Sequence, residues 1–187
     1  SFAASLVARA AGGEVPEDGY HGRYIVDWAA EMPADVDPLE WGYKRALADH
    51  RSVLESLSIH FDSWFSERSM ISSGAMDATL ADLRAAGAVY EEGGAVWLRS
   101  TDHGDDKDRV LVKSDGQPTY LMPDVAYHRD KFARADSLVN VFGADHHGYV
   151  VRMHAAMSVL GHDREDLQIV ITQLVNLQRD GREVRLS

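Results

Sequence analysis

The sequence predicts an α/β fold with a parallel sheet, because strand, turn and helix patterns follow one another in its last third. Residues 137–141 form an apolar run typical of a buried strand, and residues 149–160 carry apolar side chains at helical spacing. A second strand is predicted at residues 167–171. Between the first strand and the helix lies the sequence FGADHHG, residues 142–148. Such turns open at the carboxyl edge of a parallel sheet, where helix N-termini attract phosphate, so this run is predicted to be a ligand site.

The first part of the chain is predicted to be mainly helical. Residues 2–10 and 24–32 have the apolar spacing of short amphipathic helices, and the segment between them is rich in glycine and acidic residues. Pro38 begins a longer helix, since proline is favoured in the first helical turn. Residues 59–65 alternate between apolar and polar side chains, which predicts a strand that joins the main sheet.

The middle of the chain combines a helix with short strands. Residues 76–86 predict a helix, and residues 88–98 predict a hairpin whose Gly-Gly turn supplies positive φ angles. Residues 110–113 and 119–122 are predicted to pair as strands across a turn. Together these elements predict an α+β hairpin subdomain inserted into the main fold at residues 70–117.

Three parts follow from these elements. Residues 1–69 are expected to supply helices and one strand of the main domain, residues 70–117 the insertion, and residues 118–187 the second half of a nucleotide-binding fold. Within the last part, Pro123 begins a helix that carries Asp124 in its first turn.

Composition limits the class of protein. The chain has 187 residues, of which 45% are hydrophobic, and this is enough to bury the core of one medium domain. No apolar run approaches the roughly 20 residues that a membrane-spanning helix needs, and the first residues lack the charged region of a secretory signal. Without cysteine, disulfides and thiolate zinc sites are excluded. We therefore expect a cytoplasmic protein without a membrane partner.

Three motifs, in order along the chain, carry a resemblance to a known family. They are TYLMPD at residues 119–124, FGADHHG at residues 142–148 and RDGREVRLS at residues 179–187. Together with residues 17–22 and 61–67, they resemble the second half of the catalytic domain of arginyl-tRNA synthetases. The resemblance implies the second half of a class I synthetase Rossmann-like sheet, of the HUP type, with an inserted α+β hairpin subdomain. It also implies that the family's first half, with its HIGH-type ATP motif, precedes this chain. The chain is then expected to be an incomplete catalytic domain that is inactive alone.

The implied activity is that of an arginine–tRNA ligase. ATP, which binds with Mg²⁺, activates L-arginine to arginyl-adenylate, and the arginyl group then passes to tRNA(Arg). The formal net charge of −11 disfavours nucleic-acid binding by these residues alone, because affinity for phosphate depends on excess Lys and Arg. The resemblance therefore implies that tRNA contacts come mostly from domains outside this chain.

Arginine recognition requires a carboxylate, because a planar guanidinium pairs with one in a bidentate manner. The resemblance implies that Tyr120 and Asp124 line the arginine side-chain pocket and that His146 lies between the arginine and adenosine pockets. Taken alone, TYLMPD favours a simpler interpretation, in which Asp124 offsets the helix dipole and Tyr120 packs in the core. The ordered neighbouring motifs favour the pocket.

The nucleotide side of the site is assigned by the same resemblance. Gly143 and Asp145 are implied at the ribose and adenine, with the glycine allowing close approach and the carboxylate accepting ribose hydroxyl groups. His147 begins the following helix, whose N-terminal amides are expected to face the nucleotide. Val175, after the last strand, is expected to frame the adenine by backbone contacts.

The end of the chain, VRLS, resembles the beginning of the KMSKS loop that closes over ATP phosphates in class I synthetases. It departs from that pattern, because Arg185 stands at the first lysine and Leu186 at the methionine. Arg185 and Ser187 are the candidate catalytic residues, supplying a cation and a hydroxyl group. A surface tail after a hairpin at residues 179–181 is the alternative.

Two other functions remain open at this point. The triplet DHH at residues 145–147 also resembles that of Asp-His-His phosphoesterases, which bind divalent metal but need further aspartates on separate strands. Here the acidic residues 102–108 are expected to form a solvated hairpin tip, so no metal site is predicted. The second alternative is a synthetase-like regulator that binds arginine through Tyr120 and Asp124 without catalysis.

Overall fold

The computed structural model describes residues 1–173 and 175–184. These residues form two compact units, 1–64 and 65–184. Helices, a parallel strand pair and antiparallel strands occur together, so the predicted α/β class is confirmed. Within the described ranges, no helix is both long enough and apolar enough to cross a membrane.

The first unit contains helices α1 (Phe2–Ala10), α2 (Arg23–Glu31) and α3 (Pro38–Ser56). Asp37 caps α3, because its Oδ1 accepts the backbone N–H of Glu40 at 2.8 Å, and proline occupies the first helical turn. The apolar faces of the helices meet in a small core of Leu6, Val15, Ile25, Trp28 and Ala29. The helices predicted in this part of the chain are therefore confirmed.

The strand predicted at residues 59–65 is wrong. The chain leaves α3 through a turn in which Ser58 has a φ of 57° and the N–H of Ile59 donates back to the carbonyl of Leu54 at 2.9 Å. The residues that follow have no strand conformation, and Phe61 is 57% exposed. An alternating apolar pattern forms a strand only where a neighbouring strand supplies hydrogen bonds, and no described strand pairs with this segment.

The second unit begins with two short helices and an antiparallel sheet. These elements are α4 (Glu67–Ser72), α5 (Ala75–Ala85), β1 (Val89–Glu92), β2 (Ala95–Leu98) and β3 (Arg109–Val112). β1 and β2 form a hairpin, with Gly93 and Gly94 at φ angles of 59° and 76°. Two positive φ angles match the turn to the twist of the paired strands, which confirms the predicted hairpin and explains the two glycines.

The strand predicted at residues 119–122 is also wrong. A single bridge links Val112 with Pro118, whereas β3 pairs with β2. Helix α6 (Leu121–Phe132) then begins two residues before Pro123, which occupies the first turn, where a missing N–H costs no hydrogen bond. The hydroxyl of Thr119 donates to the carbonyl of Val110 at 2.7 Å and so joins β3 to the start of α6.

The last part of the second unit contains the predicted parallel pair. Its elements are β4 (Leu138–Gly143), α7 (Val150–Val159), β5 (Leu167–Thr172), β6 (Leu177–Arg179) and β7 (Arg182–Val184). β4 and β5 are parallel, in a register that runs from Leu138 opposite Leu167 to Gly143 opposite Thr172. A 3-10 helix, Ala144–Tyr149, separates β4 from α7. β6 and β7 form the hairpin predicted around residue 180.

The second unit has a core to which distant parts of its sequence contribute. Leu83 and Leu111, from the predicted insertion, are buried in the same cluster as Val125, Met153 and Leu167. The elements of residues 70–117 therefore pack against those of residues 118–184. The predicted division of the chain into three domains stays a prediction.

Candidate functional site

The candidate site lies where β4 ends, beside the first turn of α6. Asp124 lies in that turn, and Tyr149 ends the 3-10 helix that follows β4. The hydroxyl of Tyr149 donates a hydrogen bond to Oδ2 of Asp124. Asp124 and Tyr149 are 25 residues apart in the sequence. Their hydrogen bond therefore joins TYLMPD to the residue that directly follows FGADHHG. No motif in the sequence points to Tyr149; the available signals were that a half-buried carboxylate needs a donor and that this phenol directly follows the second motif.

A cavity of about 280 Å³ opens next to Asp124. It is lined by Phe65, Glu67, Met70, Tyr120, Pro123, Asp124 and Tyr127. The rings of Phe65 and Tyr127 stack, with 4.0 Å between their centroids and 16° between their planes. Tyr120 is 90% exposed, so the interpretation that places it in the core is wrong. The cavity thus combines aromatic walls with one aspartate and one glutamate.

Tyr149 is a neutral donor to this aspartate. Burial raises the pKa of Tyr149 well above its usual range, and the hydrogen bond to the negative carboxylate raises it further. A carboxylate offers about four acceptor positions, and Tyr149 uses one of them on Oδ2. Asp124 therefore keeps acceptor capacity for a ligand in the cavity.

A buried polar network lies behind the site. His128 is 3% exposed, and its Nδ1–H donates to the backbone carbonyl of Asp124 at 2.7 Å. Its Nε2 accepts from the side-chain amide of Asn140, whose Oδ1 accepts from Lys131 Nζ at 3.2 Å. Because a carbonyl only accepts, the proton of the imidazole lies on Nδ1. Burial lowers the pKa of His128, so the ring is held neutral.

The same network reaches the wall of the cavity. Lys131 Nζ lies 4.4 Å from the ring centroid of Tyr127, within cation–π range. Asn140 is 6% exposed and belongs to β4, three residues before Gly143. The network therefore connects the helix that carries Asp124 with the strand that leads into the second motif.

The second motif presents polar side chains to solvent. Gly143 is extended, with φ −70° and ψ 162°, so no left-handed conformation requires glycine there. The side chains of Asp145 and His146 are 80% and 53% exposed, with 3.7 Å between Oδ2 and Nε2. His146 also lies edge-on to Tyr149, with 6.3 Å between ring centroids. The structure therefore brings His146 next to the residue that bonds Asp124.

The expectation that His147 begins the helix after this motif is wrong. Helix α7 begins at Val150, and His147 lies inside the preceding 3-10 helix, where it is exposed. The N–H groups that have no partner within the 3-10 helix are those of its first residues, which follow Gly143. The role of His147 in nucleotide binding stays a prediction.

The remaining candidate residues lie elsewhere. Val175 is 88% exposed between β5 and β6, and its contact with adenine stays a prediction. Arg185 and Ser187 fall outside the described residues, so their catalytic role stays a prediction as well.

The acidic loop at residues 102–108 is solvated only in part: Asp102 and Asp106 are exposed, as predicted, whereas Asp105 is not. The Asp105 side chain is only 3% exposed, and both its oxygens bond Arg109 at 2.7 Å. This guanidinium lowers the pKa of Asp105 well below its usual range. Among residues 1–173 and 175–184, no three acidic or histidine side chains are placed to hold a metal ion together.

Comparison with known sequences identifies relatives. Residues 43–185 match the family model described as tRNA synthetases class I (R), catalytic domain. The arginine–tRNA ligase of Frankia alni is 48% identical over 201 residues, which cover 100% of this chain and 36% of the relative. Arginine–tRNA ligase 1 of Halalkalibacterium halodurans is 44% identical over 189 residues, or 93% of this chain and 34% of the relative. The chain spans about a third of the length of the curated relatives it matches.

Solved structures agree with these sequence relatives. An arginyl-tRNA synthetase structure from Campylobacter jejuni superposes with a TM-score of 0.86 at 38% identity, covering 98% of this chain and 44% of that one. The Thermus thermophilus arginyl-tRNA synthetase gives a TM-score of 0.69 at 16% identity, covering 91% and 39%. At this lower identity, the likeness shows the fold alone.

Proposed function

Because the chain belongs to the family of class I arginyl-tRNA synthetase catalytic domains, we propose that it takes part in the ATP-dependent activation of L-arginine and the transfer of the arginyl group to tRNA(Arg). One observation carries the proposal for this site. The carboxylate of Asp124 lies at a cavity with aromatic walls and is held by a hydrogen bond from Tyr149. This combination suits the side chain of arginine.

A guanidinium fits the cavity through its shape and charge. Its planar fork donates two parallel N–H bonds to a carboxylate, and its faces stack on aromatic rings. Asp124 supplies the carboxylate, while the rings of Tyr120 and Tyr127 supply flat surfaces. A hydrogen bond to a charged group contributes about 1.5–3 kcal/mol, or roughly 10- to 150-fold in affinity. Lysine, with a compact ammonium group, would leave part of this pairing unmade.

The proposed reaction follows from that placement. The carboxylate of arginine attacks the α-phosphorus of ATP, pyrophosphate leaves, and the arginyl group passes to the terminal ribose of tRNA(Arg). No covalent enzyme intermediate is involved, so the protein contributes mainly by aligning the substrates. His146 lies between the arginine and the nucleotide in this proposal. Mg²⁺ enters with ATP as part of the substrate. The proposed nucleotide contacts are Gly143, Asp145, His147 and Val175.

The tRNA and the cell compartment are also part of the proposal. With a formal charge of −11, these residues are poorly suited to hold a phosphate backbone by themselves. We therefore expect most of the affinity for tRNA(Arg) to come from surfaces other than those of this chain. Translation takes place in the cytoplasm, which is the proposed location.

Calorimetry tests the pocket directly. Arginine and a non-hydrolysable arginyl-adenylate analogue are titrated into the product of the complete reading frame and into its Asp124→Asn variant, which keeps the shape of the side chain and removes its charge. We expect at least a tenfold loss of affinity in the variant. The matched control is Asp82→Asn, because Asp82 is a half-exposed carboxylate paired with Arg129 on the outside of the same unit. Equal affinities in Asp124→Asn and the control would refute the assignment of the pocket.

A second candidate function is an arginine-binding regulator, which the departure from KMSKS at residues 185–186 favours. Arginine-dependent exchange of pyrophosphate into ATP, measured on the product of the complete reading frame, separates the two functions. Exchange supports the ligase. Saturable arginine binding without exchange would support the regulator.

A further inference from the structure

We propose that Tyr149 is a positioning residue of the arginine pocket, whose hydroxyl fixes the carboxylate of Asp124 so that Oδ1 and the second acceptor position of Oδ2 are left to pair with the guanidinium. The inference rests on the proposed function and extends it to a residue outside the recognised motifs.

The ring of Tyr149 is held from several sides. Phe142 lies edge-on to it, with ring centroids 6.3 Å apart and planes at 70°. His146 also lies edge-on, at 6.3 Å and 84°. The guanidinium carbon of Arg152 lies 5.4 Å from the ring centroid. These contacts restrict the rotation of the ring, so its hydroxyl is directed at Asp124 rather than free to sample several partners.

The 3-10 helix at Ala144–Tyr149 places His146 and Tyr149 on one face. With three residues per turn, side chains at positions i and i+3 lie directly above one another. In an α-helix, the same two side chains would be about 60° apart around the axis. The local backbone thus explains why the histidine packs against the tyrosine that bonds Asp124. It also links the position of the Asp124 carboxylate, which is proposed to bind arginine, to the motif on the nucleotide side.

A fixed carboxylate matters because a guanidinium is rigid. The terminal torsion of an aspartate is broad, so an unrestrained carboxylate samples many planes. Bidentate pairing requires its plane to match the fork of the ligand, and small misplacements of binding groups weaken catalysis. The bond from Tyr149 to Oδ2 narrows this range before the substrate arrives. Because burial and the nearby carboxylate raise the pKa of Tyr149, the phenol remains a donor at physiological pH.

The test is a double-mutant cycle on the product of the complete reading frame. Arginine-dependent pyrophosphate exchange is measured for Tyr149→Phe, Asp124→Asn and the double variant. We expect Tyr149→Phe to raise the KM for arginine about tenfold while leaving the KM for ATP unchanged. In the Asp124→Asn background, the same change should add less than about twofold, because the partner is already altered.

Two further variants separate positioning from folding. Tyr90→Phe is the control, since it removes the same hydroxyl from a tyrosine of β1 that does not line the cavity, and it should leave the KM for arginine unchanged. Asp124→Glu retains the negative charge but moves it by one methylene. If position matters, this variant loses affinity for arginine although Tyr149 is intact. Full affinity in Asp124→Glu would overturn the inference even if Tyr149→Phe failed to fold.

The outcomes distinguish the inference from the function on which it rests. Absence of exchange and of arginine binding in the unaltered protein, or an unchanged KM for arginine in Asp124→Asn, overturns the proposed pocket and the inference with it. A large effect of Asp124→Asn with none of Tyr149→Phe overturns only the positioning role. Equal effects of Tyr149→Phe in both backgrounds also overturn it, because the tyrosine would then act independently of Asp124.

Discussion

Replacing Asn140 by leucine tests whether the buried network behind the site stabilises the second unit. The amide of Asn140 donates to Nε2 of His128 and accepts from Nζ of Lys131. Asn140 and His128 are 6% and 3% exposed, so water cannot readily replace the lost donor. Leucine has a similar size and fills the space without offering a hydrogen bond.

The expected magnitude follows from three contributions. An unpaired buried acceptor on His128 costs about 1–3 kcal/mol. The lost bond from Lys131, which is half-buried and can be hydrated, adds up to about 1 kcal/mol. Burial of the leucine side chain returns about 1–2 kcal/mol. We therefore expect Asn140→Leu to lower the free energy of unfolding by about 1 kcal/mol.

Urea unfolding followed by circular dichroism measures this loss, and hydrogen exchange of peptides that cover β4 and β5 assigns the transition to the second unit. The control is Gln168→Leu, a polar-to-leucine change on the exposed face of the same strand pair, which should shift the free energy of unfolding by no more than about 0.5 kcal/mol. If Asn140→Leu and the control have the same urea midpoint, the network contributes nothing measurable and the reasoning is refuted.

Three other predictions concern the same unit. The free energy of unfolding should decrease as the pH falls through about 6.5, because burial lowers the pKa of His128 in the folded state and the unfolded chain therefore binds the proton first. Urea midpoints at pH 7.5 and 5.5 check this, and equal midpoints would contradict it. Arg109→Met should cost about 3–5 kcal/mol in urea unfolding, since it leaves the buried Asp105 carboxylate without its partner; a loss below about 1 kcal/mol would argue against the pair. Gly94→Ala, at φ 76°, should lower the free energy of unfolding by about 1–2 kcal/mol. The control is Gly148→Ala, where an added Cβ would meet no atom within 4 Å, and it should change the free energy of unfolding by less than about 0.5 kcal/mol. Equal losses in the two variants would show that backbone strain at Gly94 is not the cause.

Local signals predicted the elements whose cause is local. The proline at the start of α3 and the two glycines between β1 and β2 act through their own backbone preferences, so their positions could be read directly from the sequence. The apolar runs at β4 and β5 form strands, and their parallel pairing was expected from the helix between them. The burial predicted for the first run is only half right, because Val139 and Val141 are each 64% exposed on one face of the pair.

Non-local hydrogen bonding decided the two wrongly predicted strands. Residues 59–65 and 119–122 have side-chain patterns compatible with strands, but a strand exists only where another chain segment offers N–H and C=O groups in register. In the second case, the N–H of Thr119 bonds Leu111, after which the helix of Asp124 begins. No pattern within either segment carries this information.

The sequence by itself determined the fold class, the family and the position of Asp124 in a helical first turn, because these depend on periodicity, turn chemistry and the order of motifs. Only the tertiary structure decided which groups surround that carboxylate. Tyr149, 25 residues later in the sequence, donates a hydrogen bond to it, and Phe65, far earlier in the chain, lines the cavity beside it. Contacts between distant residues depend on how the helices pack on the sheet, and packing is a property of the whole unit rather than of any short segment.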